Sequence, residues 1–185
     1  MNHPVTRFLT KTGRYSKDEI DLLEKALVPV ELPKEMYLLK AGDISSSFYF
    51  LEKGAIIQFR LNEDSDKHVI ELNGPDSWVL NYKSFSSREP SEYSIQAYED
   101  CILYELTMDA IHQLIAQSQA FLQMGSILST TTTRLNFFDT NASADEKYHF
   151  LLSHQPELLQ LFPQKLIASY LKITPETLSR VRSRI

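Results

Sequence analysis

The sequence predicts an α+β protein: an N-terminal double-stranded β-helix (a jelly-roll-like β-roll), then a long helix, then two short helices across a tight turn. Three observations predict it. Short runs rich in β-branched and aromatic residues crowd the stretch from Met36 to Leu106, and turn signals separate them. Apolar residues repeat at intervals of seven between Phe121 and Phe138. Two helical patterns meet at a tight turn between Pro163 and Ile185.

The first element is a helix over Ser16 to Leu27. Ser16 stands three residues before Glu19, the spacing of a capping box, and Ile20, Leu23 and Leu27 follow at helical spacing. Pro29 and Pro33 are expected to end it. Strands are expected over 36–40, 48–52, 55–61, 68–72, 93–97 and 102–106. Between them lie Ala41-Gly-Asp43, Lys53-Gly54, Asn62 to Asp66 and Asn73-Gly-Pro-Asp76. So many short strands in so little chain point to a sandwich, barrel or roll.

Helical spacing returns near Met108. Phe121, Leu128 and Leu135 form one line of the seven-residue repeat, and Met124, Thr131 and Phe138 form its neighbour. The run Thr130 to Thr133 is a poor helix former, so packing must hold this segment helical. The stripe fits either burial against its own domain or a seam between two chains. The second is preferred, because a small roll offers little surface to cover so long a stripe. Ser143 and Glu146 make a second capping box, opening a helix over Ala144 to Ser153. The expected division is residues 1–115 for the roll, 116–140 for the dimerisation helix and 141–185 for the helix-turn-helix.

The last segment carries the most information. Pro163 suits the first turn of a helix, and Leu166, Ile167 and Leu171 make its apolar face. Thr174-Pro175 reads as an N-cap followed by proline at the first helical position. Leu178 and Val181 then point inward, leaving Glu176, Thr177, Ser179, Arg180, Arg182 and Arg184 outside. A basic second helix that opens on small polar residues is the helix-turn-helix arrangement, whose second helix enters the DNA major groove.

Charge agrees in its distribution rather than its sum. The chain of 185 residues carries −5 overall. From Phe162 onward, Lys165, Lys172, Arg180, Arg182 and Arg184 face one acid, Glu176, giving +4 there and leaving −9 on the rest. The expected DNA-contacting residues are Lys165, Thr174, Pro175, Glu176, Thr177, Ser179, Arg180, Arg182 and Arg184.

Other classes are poorly served. A hydrophobic share of 43% and a charged share of 23% are ordinary for a globular chain. The one cysteine, Cys101, excludes an internal disulfide framework and a four-cysteine cluster. No signal peptide and no membrane-length apolar run stand in the sequence, so a cytoplasmic protein with no membrane contact is expected. Nucleophile elbow, phosphate loop, dinucleotide fingerprint and zinc-protease motifs are all missing, so it reads as no enzyme. His112, His149 and His154 are scattered, so no metal site is expected. His68 and Cys101 carry no sign of haem ligation.

These parts together resemble the Crp–Fnr family of bacterial transcription regulators, over about Ser16 to Ile185. Three passages carry the resemblance: Leu39-Lys-Ala-Gly-Asp43 with Phe48-Tyr-Phe-Leu-Glu-Lys-Gly54; Pro90 to Leu106; and Ile167-Ala-Ser-Tyr-Leu-Lys-Ile-Thr-Pro-Glu-Thr-Leu-Ser-Arg180. The last is the most specific, and its Thr-Pro-Glu-Thr-Leu-Ser-Arg form is similar to the Bacteroidetes branch. The resemblance implies a homodimer on a palindromic DNA operator, with RNA polymerase as a further partner. It also implies base contacts through Pro175, Glu176 and Arg180, where Pro175 replaces an arginine. Lys172 stands where the family often has glycine, which implies a left-handed backbone there. The resemblance also implies a β-wing after the recognition helix, which is expected to be absent or truncated here.

The resemblance further implies a ligand cassette over Trp78 to Ala97. Cyclic nucleotide binders of the family open it with Gly-Glu, for the ribose, and close it with Arg-Ser/Thr-Ala, for the cyclic phosphate. Here Leu80-Asn81 and Ser91-Glu92-Tyr93 hold those places. A phosphate buried without a cation loses its hydration uncompensated, and Glu92 adds repulsion. Cyclic AMP and cyclic GMP are therefore not the expected ligands, no cofactor is expected, and the effector stays unnamed. The candidate pocket residues are Asn81, Tyr82, Lys83, Phe85, Arg88, Ser91, Glu92 and Tyr93, with Lys83 and Arg88 as cations for some other anion. Tyr82, Phe85 and Tyr93 serve equally as roll core. The competing reading is a sensor or interaction module whose DNA-binding region no longer functions.

Overall fold

The computed structural model describes residues 3–9, 13–62, 66–127, 138 and 142–184. After α1 (Pro4–Leu9), helix α2 (Lys17–Ala26) begins at the expected capping box: Ser16 accepts from the Glu19 N–H while the Glu19 carboxylate accepts from the Ser16 N–H. The chain then enters a strand at once, β1 (Val28–Leu32), eight residues before the first strand the sequence suggests. Pro29 belongs to that strand, paired with Tyr104. β1 is the outermost strand of its sheet, where a residue without an N–H is tolerated.

The remaining strands are β2 (Tyr37–Leu39), β3 (Ser47–Lys53), β4 (Ile56–Leu61), β5 (Lys67–Asn73), β6 (Ser77–Val79), β7 (Ser94–Ala97) and β8 (Cys101–Thr107). They form two four-stranded antiparallel sheets, ordered β1-β8-β3-β6 and β2-β7-β4-β5. β6 was not legible as a strand, being three residues long. At Gly54 the backbone has φ +97°, and a Cβ there would lie 2.5 Å from the Asp100 carbonyl oxygen, so glycine is required in that turn.

Three apolar clusters order the layers. Leu51, Ile56, Val79, Ile95, Ala97 and Leu103 fill the space between the sheets. Phe48, Phe50, Trp78 and Leu106 on the first sheet pack under α1, α2 and the helix α4 (Met108–Gln117), through Val5, Leu23 and Leu114. Ile57, Phe59, Val69 and Leu72 on the second sheet pack under the C-terminal helices. These are α5 (Ala144–His154), α6 (Leu158–Leu161), α7 (Gln164–Tyr170) and α8 (Pro175–Arg182). The roll and the C-terminal helices thus share one hydrophobic cluster.

The long helix expected from residue 116 is not what its first turns show. α4 stops at Gln117, Ser118 is extended with φ −151°, and a 3-10 segment follows over Gln119–Met124. The Ser118 hydroxyl makes two bonds there: it donates to Glu19 Oε1 at 2.5 Å and accepts from the Ala120 N–H at 3.2 Å. Phe121 and Met124, expected on a seam between chains, are 1% and 3% exposed within their own chain, packed in the cluster of α2 and α4. Phe138 is also covered by its own chain, its ring centroid 4.8 Å from that of Tyr170. The other three seam positions, Leu128, Thr131 and Leu135, lie outside the described residues.

Candidate ligand cassette and nucleic-acid interface

β6 delivers the chain to Leu80 and Asn81, both buried. Asn81 caps helix α3 (Tyr82–Ser87): its Oδ1 accepts from the Ser84 N–H at 3.0 Å. Its Nδ2 donates to Ser91 Oγ at 2.5 Å, so both ends of the side chain are committed within the cassette. Ser91 Oγ in turn donates to the Tyr93 carbonyl, and Ser91 N–H and C=O bond Asp43 and Gly42 in the turn opposite. Ser84 Oγ donates to the Glu89 carbonyl at 2.6 Å and accepts from the Ser45 N–H at 2.9 Å. The segment that opens the cassette and the one that closes it are therefore laced together by short polar side chains.

The charged candidates do not converge on that centre. Lys83 and Glu92 form an ion pair with each other on the exposed surface, which holds the Glu92 carboxyl below and the Lys83 ammonium above their ordinary ranges. Arg88 closes α3 in the left-handed region, φ 60°, with its Nη1 3.4 Å from the Ser45 carbonyl oxygen. Tyr82 is exposed. Phe85 is core, its ring centroid 4.4 Å from that of Phe48. Burial pushes the Tyr93 phenol up to about 12, with Glu92 adding to the shift.

A set that sequence reasoning missed lies beside the cassette. Gln58, Glu71 and Asn73 are buried on β4 and β5. Gln58 Nε2 donates to Glu71 Oε2 and Asn73 Oδ1 at 3.3 Å each, and to the Leu80 carbonyl at 3.4 Å. Register supplied the signal: Gln58 and Glu71 face each other in strands otherwise composed for burial.

In the C-terminal region Pro163 takes the N-cap place of α7, one residue earlier than the sequence suggests. Lys172 adopts φ 56°, the left-handed turn implied for it. Thr174 caps α8, accepting from the Thr177 N–H at 3.2 Å, with Pro175 at the first helical position. Leu178 and Val181 are buried against α5 and α7. Thr174, Pro175, Glu176, Ser179, Arg180 and Arg182 are exposed, and Thr177 is half-buried. Arg180 Nη2 donates to Thr177 Oγ1 at 3.2 Å, holding the guanidinium along the first turn. The Glu176 carboxyl sits below its ordinary range, because it accepts from its own N–H and from Thr174 and lies near Arg180. Two peripheral cations are paired within the chain: Lys165 with Asp66 at 3.4 Å and Arg184 with Asp145 at 3.6 Å.

No helix among the described residues is long and apolar enough to cross a membrane. No group of three or more His, Cys, Asp or Glu among them is placed to hold a metal.

A two-sheet roll followed by a helix-turn-helix is the fold of the catabolite activator protein and its relatives. Residues 29–118 match the family model described as the cyclic nucleotide-binding domain. A search of curated protein sequences finds no significant match. Among solved structures, the chain is similar to the catabolite activator protein of Thermus thermophilus, with 19% identity and a TM-score of 0.57, covering 91% of this chain and 83% of that one. It is similar to FixK2 of Bradyrhizobium japonicum, with 14% identity and a TM-score of 0.65, over 85% and 83% of the two chains. It is also similar to the c-di-GMP responsive global regulator CLP of Xanthomonas campestris, with 17% identity and a TM-score of 0.59, over 91% of each. At these identities the likeness is one of fold.

Proposed function

We propose that this chain is a sequence-specific DNA-binding transcription regulator of the Crp–Fnr type, acting in the cytoplasm as a homodimer on a palindromic operator. One observation carries the reading. The left-handed turn at Lys172 and the Thr174-Pro175 start project an exposed polar face from Glu176 to Arg180, while Leu178 and Val181 anchor the other face. A recognition helix needs that division. Lys165, Arg182 and Arg184 serve as backbone contacts, and the ion pairs of Lys165 and Arg184 are exposed and easily exchanged for phosphate. Three units, residues 1–115, 116–140 and 141–185, divide the labour of sensing, pairing and reading. Since Phe121 and Met124 are used within the chain, the seam is proposed around Leu128, Thr131 and Leu135. RNA polymerase is the partner through which such a dimer acts.

The sensor is proposed not to take cyclic AMP or cyclic GMP. Asn81 has spent its polar atoms on Ser84 and Ser91, and Lys83 is bonded to Glu92. Lys83 and Arg88 are both exposed, so neither is a buried cation that could meet a buried phosphate. Selection of bound sequences from a random DNA pool tests the reading. Enrichment of a palindrome is expected. An intact dimer that enriches nothing would leave the interaction module standing.

A further inference from the structure

Beside the recognition helix the structure places a cationic surface that belongs to the sensor. A cleft of about 730 Å3 separates β5 from the helix-turn-helix, with Lys67 and His68 on one wall and Lys165, Lys172, Thr174 and Pro175 on the other. Arg60, exposed at the end of β4 and paired in register with His68, stands close to it. Its charge helps to hold both the His68 imidazole and the Lys172 ammonium below their ordinary ranges, after the larger effect of burial. Lys67 reaches across β4 towards β7, its Nζ 2.7 Å from Gln96 Oε1 and 4.4 Å from the centre of the Phe59 ring.

We infer that the DNA interface extends from the recognition helix across this cleft onto the sensor, where Arg60 and Lys67 meet backbone phosphates flanking the groove. The inference rests on the DNA-binding reading above. Thr174 and Pro175 open the helix at the end that enters the groove. The major groove is about 12 Å wide, so a phosphate strand must pass close beside that end. The side that borders it is the cleft, and both walls bring cations. Mutually repelling cations raise the energy of the free protein; a polyanion relieves that repulsion as it arrives. Asp66 on the same rim is bonded to Lys165 and, among the described residues, is the one acid lining the cleft. Glu35 lies near Lys67 and also acts on it.

The test uses the full chain and the palindrome it selects, with affinity measured by fluorescence anisotropy from low to physiological salt. Arg60→Gln is expected to weaken binding about 3- to 10-fold at physiological salt. It should also reduce the salt-dependence slope by roughly one, with no change in the preferred sequence. Arg60→Glu should exceed both effects. Lys67→Gln should act in the same direction. Lys25→Gln, on the exposed face of α2 beneath the other sheet, is the control and should change nothing. Thermal melting of each variant separates lost binding from lost fold. Arg60 and Lys67 variants that bind and respond to salt as the control does would overturn the inference, while loss of binding in Arg180→Ala keeps the DNA-binding reading intact. A wild-type chain that enriches no DNA overturns both.

Discussion

The Val69 N–H donates to Ser169 Oγ at 3.0 Å, joining an edge strand of the roll to the first helix of the helix-turn-helix. β5 ends its sheet, so its outer backbone groups would otherwise be open to any pairing partner. α7 covers that edge, and Ile57, Phe59 and Val69 share a cluster with Ile167, Ala168 and Leu171. The two parts are therefore packed as one body. Ser169→Ala should cost about 1 kcal/mol in urea unfolding, as a part-buried donor loses its acceptor. A loss confined to the C-terminal helices, seen as two transitions instead of one, would show the parts uncoupled.

Phe121 decides between two accounts of the heptad-like repeat. Its side chain is buried in its own chain, its ring centroid 5.9 Å from that of Tyr15. Phe121→Ala should therefore destabilise the chain by about 3–5 kcal/mol, by an amount independent of protein concentration. Leu128→Glu should shift sedimentation towards monomer. A Phe121→Ala effect that vanishes on dilution would return that residue to the seam.

Much of this architecture is legible in sequence because local chemistry fixes it. Ser16 with Glu19, Ser143 with Glu146, and Thr174 with Pro175 each start a helix where expected, since a cap satisfies backbone donors within a few residues. The break at Ser118 is not legible. It depends on Glu19, 99 residues away, accepting from the Ser118 hydroxyl. Spacing alone cannot tell a stripe that meets a second chain from one that folds back onto α2 and α4. β1 is hidden for a related reason: Pro29 reads as a helix stop until its place at the sheet edge is known. In the cassette, sequence gives the absence of Gly-Glu and Arg. The pairing of Lys83 with Glu92 and the Gln58, Glu71 and Asn73 set emerge only from register and folding.

His68 gives a pH dependence whose sign follows from its surroundings. Burial, then Arg60 and Lys172, holds its folded-state pKa below the ordinary 6.5. The unfolded chain therefore binds the proton more readily. Stability is full above the unfolded value and falls as pH drops through the range below 6.5 towards the folded one. Urea midpoints of wild type and His68→Gln should differ more at pH 5 than at pH 7.5, with wild type losing more on acidification. Equal losses would sink this assignment.

Asn81→Ala removes both the cap of α3 and the bond to Ser91. A cost of about 1–2 kcal/mol is expected, the upper part of the range for a lost N-cap. Calorimetry with cyclic AMP and cyclic GMP should show no binding tighter than about millimolar, roughly −4 kcal/mol, in wild type or variant. Micromolar binding by wild type would overturn the reading of the cassette.

Arg180 gives the strongest single test of the proposed DNA reading by α8. Glu176 and Arg180 stand four apart on α8 and share a face, and Arg180 lies one turn beyond the exposed start at Pro175. Its bond to Thr177 Oγ1 holds the guanidinium along that face, where two parallel donors can meet a guanine edge. Arg180→Ala should then weaken binding to the selected operator by about 1–3 kcal/mol and relax preference at one position of each half-site. Arg184→Ala, which also breaks the pair with Asp145, should weaken all sequences alike and flatten the salt dependence. The comparison separates base reading from backbone contact, because only the first alters which sequences win. Equal, sequence-blind losses in both variants would remove Arg180 from the bases and leave it on the phosphates.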